Sequence, residues 1–411
     1  MKNIKYNIDG HHHGIFIKEA RLRLGYRMVE VANGICDVSY LSKVESGTIV
    51  PPPAVFLKLA DKLRILFPTK AHQCPIDIFR MSLYQEDLSI IKSYLADDVF
   101  HHYEILMINF FQAVLNNDLF EAFNLKKIVD QFSHHFSEKE EQNYLLFSGI
   151  YFFKNFEWER GRECFKKSLE LAASAKIEDP YLCLQLAKYY FQIQKVYLGF
   201  SYLERATAEF RKIFQKEWVF KCDILWCQAA VRNGDPLSAN LRLDEVQKLV
   251  DPLKSHLQWR DLFNVLGMIY EKRQQNSKAE EYYIKSIEEK GGKVNEEFIV
   301  EIMRFYYERQ KYNQLINLTE KLNLGNFRIQ NRLLIDFYYF KIADGRSENF
   351  EEFLRKDAIP FAMKSLDFQN AMLYTKELMQ YNRNEARYKK VTDVYYKWET
   401  FSKEIDSAGI I

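Results

Sequence analysis

Residues 263–287 read Phe-Asn-Val-Leu-Gly-Met-Ile-Tyr-Glu-Lys-Arg-Gln-Gln-Asn-Ser-Lys-Ala-Glu-Glu-Tyr-Tyr-Ile-Lys-Ser-Ile. Two small residues, Gly267 and Ala279, stand twelve apart, and a bulky one, Tyr283, follows four later. In a pair of antiparallel helices the small residues let the backbones approach closely and the bulky one fills the gap beside them. The pattern recurs in both directions along the chain. Gly149/Gly161, Ala187/Gly199 and Cys227/Ala239 precede it and a looser Met303/Leu315 follows, with Phe165, Leu203 and Leu243 in the place of Tyr283. First members succeed one another at 38, 40, 40 and 36 residues. Self-similarity at that period marks an array of stacked helix pairs. Degenerate units around Phe110/Ala122 and on to Trp398 extend it, so residues 100–405 are expected to form one repeat domain.

This is tetratricopeptide logic, with helices longer than the family's minimal unit. The implied architecture is all-α, a right-handed superhelix whose first helices line a concave groove. The repeat register places Lys188, Gln228, Asn264, Met268, Arg304 and Tyr307 on that inner wall. Side-chain amides and an arginine suit the backbone and carboxylate of an extended peptide, while Met and aromatic surfaces take its apolar side chains. Repeat arrays also carry polar inner faces whatever they bind, so each residue is a candidate only.

Ahead of the array stands a short, different module. Ile15 to Leu24 places Phe16, Ile17, Ala20 and Leu24 on one side at helical spacing, and Gly25 stops it. Met28 to Asn33 forms a second helix. Asp37 is placed to cap a third, which Gly47 ends as a left-handed residue. Leu41 and Val44 face a core with Val31 and Ile35, leaving Val38, Ser39, Tyr40 and Lys43 outward. Two short helices around a tight glycine-containing turn are the DNA-reading unit in outline. Pro51-Pro52-Pro53 makes an extended elbow before a fourth helix, Ala54 to Leu63, with Leu57, Leu59, Ala60 and Leu63 buried. Residues 1–67 are the expected domain, and 68–99 a linker and connecting helix.

The run Ile35-Cys36-Asp37-Val38-Ser39-Tyr40-Leu41-Ser42-Lys43-Val44-Glu45-Ser46-Gly47, with Arg21 and Gly25 upstream, resembles the phage-repressor (XRE-type) helix-turn-helix, most closely the version in PlcR-like and NprR-like regulators. The resemblance implies that Glu45 braces Arg21 and that Val38, Ser39 and Lys43 face DNA. The second helix departs from the usual Thr/Ser-Gln opening and has Arg27-Met28, so Arg27 is the expected phosphate anchor. With Ile359-Pro360 through Tyr395-Tyr396 similar to closing repeats, both ends resemble the RRNPP family of cytoplasmic receptors for imported oligopeptide pheromones. That implies a homodimeric, quorum-sensing transcription regulator of a palindromic operator, without catalysis or cofactor, in which peptide alters curvature or oligomeric state. The alternative is a Rap-like protein whose repeats bind or dephosphorylate a response regulator, alone or together with DNA binding; a scaffold without peptide is a third.

Charge and composition agree with a small DNA-binding head on a neutral body. The net charge is +2, yet residues 1–67 hold ten Lys/Arg against six Asp/Glu, leaving the rest slightly negative. Gly and Pro together make about 6% of residues against a usual ~12%, which favours helix. Hydrophobics at 47% exclude global disorder. The apolar stretch Tyr103 to Leu115 is broken by Glu104, Asn109 and Gln112 and is too short for a membrane span. Met1-Lys2-Asn3-Ile4-Lys5 leads into polar residues, so no signal peptide is expected. Cysteines 36, 74, 164, 183, 222 and 227 form no C-x-x-C and read as reduced thiols of a cytoplasmic protein. His11-His12-His13, His101-His102 and His134-His135 lack metal-ligand spacing, so no metal site is expected. Nor is there a Walker loop, G-x-G-x-x-G or G-x-S-x-G to carry nucleotide or hydrolase chemistry.

Overall fold

A computed structural model describes residues 13–63, 75–85, 102–176, 178–247, 255–288, 296–320, 327–344 and 347–407. Every regular element among them is helical. The chain divides into two compact units, Met1–Ile177 and Glu178–Ile411.

The first unit opens with α1 (His13–Arg23), α2 (Met28–Ala32), α3 (Val38–Glu45) and α4 (Pro53–Lys62). These four make a head around Ile17, Val31, Leu41, Val44, Leu59 and Leu63, with Ile35 packed at its margin. The turn after α3 is where glycine matters: Gly47 has φ +71°, a conformation that costs other L-residues energy. Pro52, at φ −56° and ψ 148°, is the extended elbow, and Pro53 begins α4, where its missing N–H costs nothing. Phe56, which the helical pattern passes over, is buried in α4 as well. Of the linker and connecting helix expected at 68–99 only residues 75–85 are described; Cys74, His11, His12, His101 and the side chains of Phe16 and Leu57 lie outside the described residues.

After the head come α5 (Pro75–Gln85), α6 (His102–Leu115), α7 (Leu119–Val129), a 3₁₀ turn (Asp130–His135), α8 (Glu138–Lys154) and α9 (Trp158–Ser174). Phe79 of α5 sets its ring 5.2 Å from Phe111 and 5.3 Å from Phe147, which stack on each other at 4.2 Å. One helix from the connecting segment thus enters the core of the first repeats.

The second unit continues the pairs: α10 (Pro180–Gln192) with α11 (Val196–Lys212), α12 (Lys216–Arg232) with α13 (Pro236–Val246), α14 (Ser255–Lys272) with α15 (Asn276–Glu288), and α16 (Glu296–Glu308) with α17 (Tyr312–Glu320). It ends in α18 (Ile329–Asp344), α19 (Glu348–Phe353), a π turn (Leu354–Ala358), α20 (Ile359–Lys364), α21 (Phe368–Asn384) and α22 (Tyr388–Ser407). Gln192 Nε2, at the end of α10, donates to the Ser365 carbonyl just past α20 at 3.1 Å, so the unit curls its first pair against a late one.

The small residues do what their spacing implies. A Cβ on Gly149 would lie 2.6 Å from the Phe165 ring, and one on Gly267 2.5 Å from the Tyr283 ring. Neither position admits a side chain while the aromatic stays. A second rule, absent from the reading above, runs the other way. Positions 161 and 199 face Phe153 and Phe191, each four residues past the first small member, at 2.9 and 2.5 Å. The Gly149/Gly161 pair therefore closes through two reciprocal glycine-against-aromatic contacts, while the Ala187/Gly199 and Gly267/Ala279 pairs each show one.

Candidate recognition helix and ligand wall

The candidate recognition helix α3 is seated by a buried ion pair. Arg21 Nε and NH2 donate to Glu45 Oε1 and Oε2 at 2.6 and 2.7 Å, and NH1 reaches the Tyr26 carbonyl at 3.2 Å. Each of the guanidinium's three nitrogens thus donates a bond, and two of them hold α3 against α1. Asp37 has the extended backbone of an N-cap, but its side chain accepts no capping bond. Arg27 stands just before α2, and its backbone N–H is held by Glu30 Oε2 at 2.6 Å. Glu30 thereby caps the start of α2, and the Arg27 side chain stays exposed.

Val38, Ser39 and Lys43 are exposed as expected. Tyr40 is the correction: it is half-buried and packs on the head's core, since at position i−4 from Val44 its ring leans back toward that side. The outward set is therefore Arg27, Val38, Ser39 and Lys43.

On the expected ligand wall the structure separates the six candidates. Asn264 is 0% exposed, and neither its amide oxygen nor its nitrogen has a hydrogen-bond partner among the described residues. Gln228 and Met268 are buried too, so these three do not line an open trough. The reason is that α12 packs directly on α14, and the inward side chains of neighbouring first helices share that seam. Lys188 is exposed on α10, near enough to Cys222 of α12 for its charge to act on that thiol. Tyr307 lies against Tyr338, ring centres 5.0 Å apart.

Arg304 differs from the expectation. It contacts Glu271 at 2.9 Å, Glu301 at 3.1 Å and Glu308 at 2.9 Å, so its charge is already matched by three carboxylates. Glu301 also takes Arg232 at 3.0 Å, and Glu271 accepts from Tyr283 Oη at 2.8 Å. Burial raises the Glu301 pKa, but Arg232 and Arg304 overcome that and hold it below the usual carboxylate range. The network joins α12, α14 and α16 across the wall. Sequence spacing does not reveal it, because its members come from three repeats.

One turn before Asn264, burial pushes Asp261 up to about 6 against the opposing pull of Arg260 and Lys221. Cys183, Cys222 and Cys227 are buried free thiols whose pKa burial raises to about 12, so they are neutral and unreactive. Among the described residues no three His, Cys, Asp or Glu side chains converge as a metal site requires, and no helix is long and apolar enough to cross a membrane.

Comparison with known proteins bears on both parts. The family described as Helix-turn-helix matches residues 17–67. The transcriptional activator NprA of Geobacillus stearothermophilus is 21% identical over 91% of this chain and 99% of its own length. NprR, solved in complex with its cognate peptide NprX, superposes with a TM-score of 0.61 at 14% identity, covering 78% of this chain and 98% of that one. A Rap protein complexed with Competence and Sporulation Factor gives 0.61 at 13% identity over 81% and 96%. The repeat fold is the one these two structures share, and the head is a helix-turn-helix. A helix-turn-helix head running into that repeat fold is the arrangement that the sequence resemblance to the RRNPP family implies.

Proposed function

We propose that this chain is a cytoplasmic, non-enzymatic transcription regulator that reads a palindromic operator as a homodimer and is switched by a short oligopeptide held in the second unit. The observation that carries the peptide reading is Asn264. A fully buried amide with neither atom partnered costs roughly 1–3 kcal/mol per unmet group in a fold that gains nothing from it. A peptide backbone offers one N–H and one C=O at the spacing a side-chain amide can take together. Gln228 on the preceding first helix, Met268 one turn on and Tyr307 on the next would flank such a ligand once the seam between α12 and α14 parts to admit it, with Lys188 at the α10 side. About five to ten extended residues span two or three repeats. Arg304, being matched by three glutamates, serves as framework for the wall and not as receptor for the ligand's carboxylate.

DNA contact falls to Arg27 at the backbone and to Val38, Ser39 and Lys43 toward base edges, with Tyr40 supporting them from inside. A single head reads one half-site, so a twofold pair reads a palindrome. Calorimetry with the mature peptide encoded beside the gene tests the peptide site: Asn264→Ala should lose tens-fold in affinity. Tight binding to wild type and variant alike overturns the placement. Light scattering tests the dimer, which removal of residues 326–411 should weaken. The second reading, binding or dephosphorylation of a response regulator, has in its favour a fold as similar to Rap as to NprR. The outward face of α3 favours the first.

A further inference from the structure

The N–H groups that open a helix and the carbonyls that close one have no partners inside it. The antiparallel pair α6 and α7 brings one end of each kind together, and the head supplies the opposite charge to each. Glu19 of α1 accepts at Oε1 from the Tyr103 N–H at 2.8 Å, and Tyr103 is the second residue of α6. Lys18, its neighbour, donates from Nζ to the Gln131 carbonyl at 2.6 Å, in the 3₁₀ turn directly after α7. A carboxylate at a helix N-terminus and an ammonium past a helix C-terminus are the pairings the helix dipole favours. The Lys18 ammonium also lies 4.8 Å from the centre of the Phe132 ring, and Phe132 stacks on Tyr103 at 5.8 Å. Glu19 is buried at this contact.

The same helix grips α3. A Cβ at Gly14 would fall 1.9 Å from the Val44 carbonyl oxygen, so the backbones of α1 and α3 meet with no side chain between them. Ile17 and Ala20 enter the head's core and Arg21 holds Glu45. Helix α1 is thus fixed on one side to the recognition helix and on another to the first repeat pair.

We propose that Lys18 and Glu19 are positioning residues that lock the head onto the α6/α7 pair, so that the repeat body, and not a free tether, sets the spacing of operator half-sites. This rests on the DNA reading above. The test uses the full chain as wild type, as Glu19→Ala, as Glu19→Gln, which keeps an acceptor oxygen, and as Lys18→Met with Glu19→Ala. Hydrogen exchange needs no DNA: the first turn of α6 should exchange at least tenfold faster in Glu19→Ala and recover in Glu19→Gln. Selection from a library of paired half-sites at varied separations should give one spacing for wild type and several for the double variant, with single half-site affinity unchanged. Unaltered exchange in Glu19→Ala overturns the dock. Altered exchange with an unaltered spacing preference overturns its role on DNA. Should wild type select no sequence, the DNA reading has failed and with it the spacing role, while exchange alone decides the dock.

Discussion

Arg21 and Glu45 form a two-pronged ion pair across the head, with both carboxylate oxygens taken at 2.6 and 2.7 Å and both side chains buried. A buried charge left without its partner is far costlier than the pair is valuable. Glu45→Ala should destabilise the head by about 3–5 kcal/mol, whereas replacing both residues by apolar ones of similar size should cost much less. Thermal unfolding of the two variants decides it; equal losses would show that the pair, and not the orphaned charge, is what matters.

On α3 the two neighbouring positions 40 and 43 should behave in opposite ways. Lys43→Glu removes an exposed cation, so operator affinity should fall by about 1–3 kcal/mol with the head's stability unchanged. Tyr40→Ala empties part of the core, so the head should unfold at lower temperature while its preference among half-site sequences stays the same. Leu41→Asp should unfold the head outright. Gel shifts on a selected operator beside melting curves separate the cases.

In the repeats, Gly267→Ala places a methyl group 2.5 Å from the Tyr283 ring. Overpacking of this kind costs about 1–3 kcal/mol, and trimming the obstacle by Tyr283→Leu in the same chain should return part of it. Denaturant titration measures both. Simple additivity of the two substitutions would mean that the close approach is not what the glycine is for.

Much of this was legible in the sequence because it is local. Val31, Leu41 and Val44 sit at helical spacing, and Gly267, Ala279 and Tyr283 keep offsets set by two helices and one turn. What was illegible is contact between distant segments. Nothing near Arg304 announces Glu271, a repeat earlier, and nothing near Glu19 announces Tyr103, 84 residues on. Tyr40 was misplaced for another reason: helical projection places a Cα, while the ring leans a turn away from it. The Phe153 and Phe191 contacts were within reach, being four residues past Gly149 and Ala187, had the register been read in both directions.

Asp261 makes a pH prediction whose sign can be worked out. Its folded pKa, about 6, lies above the unfolded value near 3.9, so between those values the folded state binds the proton more tightly. Stability should therefore fall as pH rises from about 4 to about 6, and level off above. Buried Asp223 and Glu140 are raised by burial as well and add slopes of the same sign. Asp261→Asn removes its own share, on the order of 3 kcal/mol across the window at about 1.4 kcal/mol per unit. Urea unfolding at pH 4.5 and 7 should show a smaller difference for the variant than for wild type; an identical difference would mean that Asp261 is ionised throughout.

Asn264 and Arg304 should respond to substitution with opposite signs. Removing Arg304 leaves Glu271, Glu301 and Glu308 facing one another, with Arg232 and Arg309 the cations that offset them among the described residues, so Arg304→Ala should destabilise the second unit by about 3–5 kcal/mol. Lysine should not restore it, since one ammonium cannot span the three carboxylates that the guanidinium reaches. Among the described residues Asn264 has no hydrogen-bond partner, so Asn264→Leu, close in volume, exchanges two unmet polar atoms for apolar contact. It should raise stability by about 1–3 kcal/mol while lowering peptide affinity tens-fold or more. Denaturant titration and calorimetry on the same preparations measure the two effects. A destabilised Asn264→Leu would mark the amide as part of the fold, and a stabilised variant that still bound peptide at full strength would move the ligand to another part of the array.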